Sequence, residues 1–330
     1  MNHFVAYNMP KIELHCHLDG SMSPEVTGEL LRRLGEEYEK EELEELLHAP
    51  KDCESLAMYL ERFDLPIRCL QTKEGLHAAA LDLALSAAAE NVKYLEVRFA
   101  PSFSLARGLS VGQVLEAVQE GLAEAEEKAG ISTGILVCGM RGLDMEENLS
   151  MLKNAREFFG CGVVACDLAG DEKAYPTADY ADFFMKAKEY GLPYTIHSGE
   201  CGSRENIKAA IALGAKRIGH GIAMKGDKEL IRLCAGRRIG VELCPTSNLQ
   251  TKALKELSDY PLPEFLEAGV PVSVNTDNRT VSGTTCTDEY LLLSGAGMMN
   301  ERVSGQIYRD SVEVSFAPEA VKQRLLTYLY

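Results

Sequence analysis

Eight short apolar or β-branched runs, most of them followed by a segment of helical periodicity, constrain this 330-residue chain more than any other feature. They are Lys11 to His17, Tyr94 to Ala100, Gly134 to Met140, Val163 to Leu168, Tyr194 to His197, Arg217 to His220, Ile239 to Cys244 and Val270 to Asn275. Runs of this length and composition fit strands, and Val111 to Ala129 or Asp179 to Tyr190 fit connecting helices. A parallel neighbour is reached only by a crossover, so repeated strand-then-helix units build a parallel sheet. Eight of them predict an α/β fold of the closed (β/α)8 TIM-barrel type. One spacing is irregular. Between the first and second runs, residues 23–91 exceed what a single crossover helix needs, which predicts a helical insertion after the first strand that covers the barrel mouth as a lid. No Gly-, Ser- or Pro-rich linker divides the chain and no repeat longer than one β-α unit is visible, so residues 1–330 read as one domain. Asp288 to Tyr330 read as helices packing outside the barrel, with Pro318 at a helix start.

A formal net charge of -16 argues against a nucleic-acid or acidic-membrane partner, which would reward clustered Lys and Arg. The acids are densest from Glu36 to Glu45 (EEYEKEELEE), the signature of a solvated helix face. No apolar stretch approaches the roughly 20 residues that span a bilayer, and the N-terminus lacks the basic start and apolar core of a signal peptide. A cytoplasmic location is expected. The 10 cysteines are scattered with no CxxC spacing, which predicts reduced, mostly buried thiols and no disulfide framework.

Chemistry gathers at the ends of the runs. The first closes on His15-Cys16-His17-Leu18-Asp19-Gly20, where two histidines two residues apart share one face of a strand and Cys16 faces the other way. Two imidazoles leave a divalent ion short of ligands, so further ones are expected downstream. His197-Ser198-Gly199-Glu200, Gly219-His220-Gly221 and Asn275-Thr276-Asp277-Asn278 each place a ligand or acid-base residue at a run's end, where barrels of this type carry their active sites. Of the seven histidines, His3, His48 and His77 lack that setting and read as structural or exposed. Asp277 reads either as a helix N-cap or, beside three histidines that need an anionic partner, as a ligand; the second reading is preferred. Three neutral imidazoles and one carboxylate would leave a Zn2+ ion with net positive charge and room for water, an arrangement that lowers the pKa of that water towards 7. Glu200 reads either as a first-turn helix glutamate or as a general acid beside the metal. His220 fits a fifth ligand, a base or an electrostatic partner of the nucleophile, and spacing does not separate these roles.

Taken together, these segments and Asp167-Leu168-Ala169-Gly170-Asp171-Glu172 resemble the successive motifs of the adenosine deaminases, within the amidohydrolase superfamily. Glu96-Val97-Arg98 and Cys244-Pro245-Thr246-Ser247-Asn248 are similar to further family segments, so the resemblance spans nearly the whole chain. It implies one Zn2+ per chain on His15, His17, His197 and Asp277. It also implies Glu200 as the proton donor to purine N1, His220 as the residue that orients or deprotonates the attacking water, and His17, Asp19, Gly170 and Asn278 as substrate contacts. The implied reaction is hydrolytic deamination of adenosine, with 2'-deoxyadenosine, to inosine or deoxyinosine and ammonia. The partner is then a small purine nucleoside; nothing bears on oligomeric state.

Within the resemblance, Asp19 stands where a ribose-hydroxyl contact is implied, whereas related adenine deaminases carry a longer glutamate, which favours nucleoside over free base. The Gly170 backbone N–H is implied as the donor to N3, and a glycine permits that close approach. Leu56, Tyr59, Leu60 and Phe63 fall on one helix face and resemble the family's apolar gate, an expectation set against the commoner core reading of such stripes. One departure stands out. Many members read Asp-Asp-Pro where this chain has Asp277-Asn278-Arg279; an Asn278 amide donates to unprotonated N7 directly, whereas a carboxyl must first hold a proton. The competing readings are deamination of a related 6-aminopurine (adenine, AMP or an N6-substituted nucleotide) and a catalytically inactive purine-binding barrel.

Overall fold

The structure, a computed structural model, describes residues 1–50, 53 and 56–329, with the side chains of Leu56 and Ala57 outside the description. Every expected run contains a strand: β1 (Lys11–His17), β2 (Val92–Phe99), β3 (Ser132–Met140), β4 (Val163–Ala169), β5 (Thr195–Ser198), β6 (Arg217–His220), β7 (Gly240–Leu243) and β8 (Val272–Val274). All pairings are parallel, in two sheets ordered β1-β2-β3-β4 and β5-β6-β7-β8. Parallel bridges at Cys166–Tyr194 and Cys16–Asp277 join the sheets at both edges. The second join includes His17 N–H to Asp277 O at 2.7 Å and Asp277 N–H to His15 O at 2.9 Å, so the bonds that close the ring also bring Asp277 beside the first-strand histidines.

The helices stand outside this ring and begin and end where the sequence provides caps. Ser110 and Gln113 form a reciprocal capping box at the start of helix Val111–Ala129, which ends at Gly130 in the left-handed conformation. Its apolar face packs on helix Lys73–Ala89, itself capped by Thr72. Apolar burial of this kind supplies the main stabilisation of such a fold, about 25 cal/mol per Å² removed from water.

The segment after β1 holds helices Pro24–Arg33, Lys40–Leu47, Leu56–Leu60, Asp64–Cys69 and Lys73–Ala89. A 3-10 turn, Glu61–Phe63, interrupts the expected single helical face from Leu56 to Phe63. Pro66 accounts for it, because a proline ring clashes with the carbonyl four residues earlier, here that of Arg62. At the C-terminal end, helices Cys286–Gly295, Glu301–Val314 and Glu319–Leu326 follow β8, and Pro318 is the N-cap of the last. Helix Glu301–Val314 packs against β1, β7 and β8.

Candidate active site

The barrel interior is charged below the strand ends. Arg98 on β2 donates to Asp167 Oδ2 on β4 at 2.8 Å and to Glu242 Oε2 on β7 at 2.9 Å, and all three are fully buried. Arg217 on β6 joins Glu242 to Glu96, while its ring partner Phe316 and the Val314 carbonyl close this lower end. Burial would raise the Asp167 and Glu242 carboxyls. His197 and Arg98 around Asp167, and Arg98 and Arg217 around Glu242, hold both below the usual carboxylate range instead. A buried network of this kind is stable only while every member is partnered; removing one leaves an uncompensated charge at a cost of about 3–5 kcal/mol.

The two carboxylates face upward onto histidines. Glu242 Oε2 lies 2.7 Å from His15 Nδ1, and Asp167 Oδ2 lies 2.9 Å from His197 Nδ1, the latter an ion-pair contact off the line of a hydrogen bond. With Nδ1 on the carboxylate side, each ring turns Nε2 to the centre. There His17 Nε2 meets His197 Nε2 at 3.2 Å, and Asp277 Oδ1 lies 3.3 Å from His15 Nε2 and 3.4 Å from His17 Nε2. Burial pushes His15 down to about 4 and holds His17 well below its ordinary value, so both are neutral at pH 7. His197 moves the other way, because the facing Asp167 outweighs burial. For Asp277 burial is outweighed by the imidazoles of His15, His220 and His17, which hold it well below the carboxylate range.

Four donor atoms, one each from His15, His17, His197 and Asp277, thus lie within 4.8 Å of one another. Converging lone pairs repel unless a cation sits among them, and His15 Nε2 is buried with no hydrogen-bond partner. The residues fit a divalent metal of imidazole and carboxylate preference. Cys16 is not part of the group; its Sγ contacts Ser21 Oγ at 3.3 Å. His220 and Cys244 form a second close group with Asp277, but neither lines the cavity described next. Asp277 is not a helix cap either: that position falls to Asn278, ahead of Arg279–Ser282.

Two site residues carry backbone strain. Asp277 and His220 adopt φ of 62° and 60°, a left-handed conformation that costs a non-glycine residue of order 1–3 kcal/mol. Hydrogen bonds hold both in place. Ser247 Oγ donates to Asp277 Oδ2 at 2.6 Å, and the Asn248 amide, its oxygen engaged by the Tyr260 hydroxyl, donates to His220 Nδ1 at 3.0 Å. His220 Nε2 is left 3.7 Å from Glu200 Oε2.

Above the four donors opens a cavity of about 320 Å³. Its wall includes His17, His197, Asp277, Glu200, Gly170, Asp19 and Asn278, with Tyr59, Leu60 and Phe63 from the insertion. His15 and His220 lie beneath it, and the Leu56 side chain lies outside the described residues. Two wall oxygens, Asp19 Oδ1 and Asn278 Oδ1, are buried without partners, and burial pushes the Asp19 carboxyl up to about 6. Gly20 makes room for the second: a Cβ there would stand 1.9 Å from Asn278 Oδ1. Gly170 takes φ of 101° at the end of β4, a backbone conformation that glycine adopts without strain. Tyr59 is wall and anchor at once, since its hydroxyl meets Ser282 Oγ at 2.6 Å.

Sequence reasoning gave no role to the supports: Glu96 and Arg98 beneath the histidines and Ser247 and Asn248 beside Asp277 and His220 were quoted only as family-like segments, and Glu242, Arg217 and, in the cavity wall, Arg141 were not singled out. The readable signal was a charge inside an otherwise apolar run, as in Leu95-Glu96-Val97-Arg98-Phe99 and Gly240-Val241-Glu242-Leu243, where period two sends it to the ring's interior.

A sequence model of the family described as Adenosine deaminase matches residues 10–330. The chain is 44% identical over 292 residues to an adenosine deaminase of Enterococcus faecalis, covering 87% of this chain and 86% of that one. It is 39% identical over 325 residues to an adenosine deaminase of Clostridium botulinum, covering 97% and 98%. Among solved structures, adenine deaminase from Arthrobacter aurescens superposes with a TM-score of 0.90 at 27% identity, covering 97% of this chain and 98% of that one. The N6-methyl-AMP deaminase of Arabidopsis thaliana gives 0.87 at 28%, covering 99% and 98%.

Proposed function

The chain belongs to the adenosine deaminase family and is a hydrolase of the amidohydrolase superfamily, and from that premise we propose that it hydrolyses adenosine and 2'-deoxyadenosine to their 6-oxo products and ammonia, with one Zn2+ per chain. One observation carries the reading. A single cavity is lined at once by His17, His197 and Asp277, by Glu200 and Gly170, by the unpartnered oxygen of Asp19 and by Asn278.

His15, His17, His197 and Asp277 would hold the ion, whose Lewis acidity lowers the pKa of a water towards 7. The remaining work falls to side chains and backbone. Glu200 in its acid form gives a proton to N1, which draws electrons from C6 as the water oxygen bonds there. His220, held by Asn248 at Nδ1, would orient the water through Nε2. The added oxygen sheds its two protons, one to the amino group, which leaves the tetrahedral C6 as ammonia, and one that restores the Glu200 acid, as C6=O forms. The Gly170 backbone N–H donates to N3, the Asn278 side-chain NH2 donates to N7, and Asp19 accepts from a ribose hydroxyl.

Nucleoside is favoured over nucleotide by charge. Among the described residues, Arg141 is the one basic side chain other than histidine in the cavity wall, and its terminal nitrogens already donate to Tyr175 O, Thr177 Oγ1 and His197 O. Asp64 and Asp171 share the wall, so a phosphate there meets carboxylates and no free cation. Tyr59, Leu60 and Phe63 would act as the gate over the bound purine. Ammonia release from adenosine, deoxyadenosine, adenine and AMP at equal concentration tests the reading. The nucleosides are expected to exceed adenine and AMP by at least roughly 100-fold in kcat/KM, in line with the cost of unpaired buried polar groups. Activity on adenine alone would remove Asp19 from the explanation, and preference for AMP would remove the charge argument.

A further inference from the structure

We infer that Glu172 is a positioning residue whose carboxylate ties the loop carrying Gly170 to the loop carrying Glu200, and so sets the span between the donors to N3 and N1. The inference rests on the adenosine reading above. Glu172 follows β4 two residues after Gly170 and is 3% exposed. Its Oε2 accepts from Gly199 N–H at 2.8 Å and its Oε1 from Cys201 N–H at 2.6 Å. Those amides flank Glu200, so the Glu200 backbone cannot rotate without breaking one of them.

Glu172 does not line the cavity, although Gly170, Asp171 and Glu200 do. It therefore acts through its neighbours and not on a ligand. A buried carboxylate is expensive unless its lone pairs are satisfied, and here both oxygens are spent on one three-residue stretch of the next loop. The tie is reinforced from two sides. Asn206 Nδ2 donates to the Glu172 carbonyl at 3.1 Å, and Arg141, whose backbone and Cβ lie against Gly170, donates through its guanidinium to Thr177 Oγ1 beyond β4 and to His197 O near the end of β5.

The chemistry explains why such a tie matters. N1 and N3 belong to one rigid ring, so their separation is fixed by the molecule. A donor pair at any other separation cannot serve both atoms together, and misplacement by an ångström costs on the order of 100-fold in rate.

The test compares parent, Glu172→Gln and Glu172→Asp for kcat and KM on adenosine and 3-deazaadenosine, with bound metal per chain measured on the same samples. Glutamine keeps the shape but turns an NH2 onto one of the two amides; aspartate keeps both acceptors on a shorter arm. In Glu172→Gln, kcat on adenosine is expected to fall roughly 30- to 100-fold, with KM changed less than about threefold and metal content unchanged. Replacing N3 by carbon should cost the variants less than it costs the parent, because the Gly170 donor is already out of register. Glu172→Asp should lie between, and it decides by the same criteria if the glutamine variant does not fold. The inference is overturned by a kcat within about twofold of the parent, by metal loss in proportion to rate loss, or by an equal N3 penalty in parent and variants. A parent inactive on adenosine overturns the preceding reading and this one together, whereas an active parent with any of those three results overturns this one alone.

Discussion

The floor and the wall of the cavity are built on opposite principles. Beneath the histidines, Arg98, Glu242, Asp167, Arg217 and Glu96 are buried in mutual ion pairs. On the wall, Asp19 and Asn278 each keep a buried oxygen without a partner. The floor's charges pair with one another and fix ring orientation; the Asp19 oxygen on the wall finds a partner only in what the cavity binds. Floor substitutions should therefore act on metal affinity and stability, and substitutions of the wall residues that are not candidate metal ligands on kcat and KM at constant metal.

The sharpest way to break that division is Glu200→Gln, which should lower kcat on the order of 1,000-fold while metal content stays at one per chain. Metal loss in this variant would blur wall into floor. Next, Glu242→Gln should weaken metal affinity roughly 10- to 100-fold through His15, with KM for adenosine restored at saturating metal. Equilibrium dialysis against a competing chelator measures the first quantity and steady-state kinetics the second; a KM defect that persists would place Glu242 on the wall. Asp19→Ala should raise KM for adenosine about 10- to 100-fold, the worth of a hydrogen bond to a charged group, and leave any adenine activity unchanged. Asn278→Asp gives a pH signature. A carboxyl must hold a proton to donate to N7, so KM for the variant should rise with pH through that group's titration while the parent shows no such dependence. A flat profile in the variant would remove the N7 contact.

The smallest effect lies outside both regions and serves as a control. Glu289 accepts from Thr246 N–H and Thr284 Oγ1, and burial pushes it up to about 8. A raised folded value means that the folded state binds the proton more tightly. Its stabilising contribution is therefore full below the unfolded value near 4.5 and is lost as pH rises through about 8. Glu289→Gln should flatten thermal stability between pH 5 and 8 and raise Tm at pH 8 by roughly 2–4 °C, with kcat untouched. Calorimetry at both pH values checks it.

The difference between floor and wall also explains what could be read in advance. His15, His17, His197 and Asp277 were visible because each ends an apolar run, where period two and the barrel rule give a side chain its direction. Asp19 and Asn278 were visible through the motifs around them. The role of the floor was not, although Arg98 and Asp167 stood in quoted segments, because Arg98, Asp167 and Glu242 come from three strands and meet only when the ring closes. Glu172 was quoted within its motif but given no role, since its partners at Gly199 and Cys201 are backbone amides that no side-chain pattern announces. The Glu61–Phe63 turn escaped for a local reason: the apolar spacing from Leu56 to Phe63 was read without the proline at position 66.

The most direct test of metal-assisted deamination on this floor and wall is a metal titration of chelator-treated protein, followed by ammonia release from adenosine. Activity is expected to be absent without metal and to rise linearly with added Zn2+ up to one equivalent per chain. Full activity in metal-free protein would contradict it.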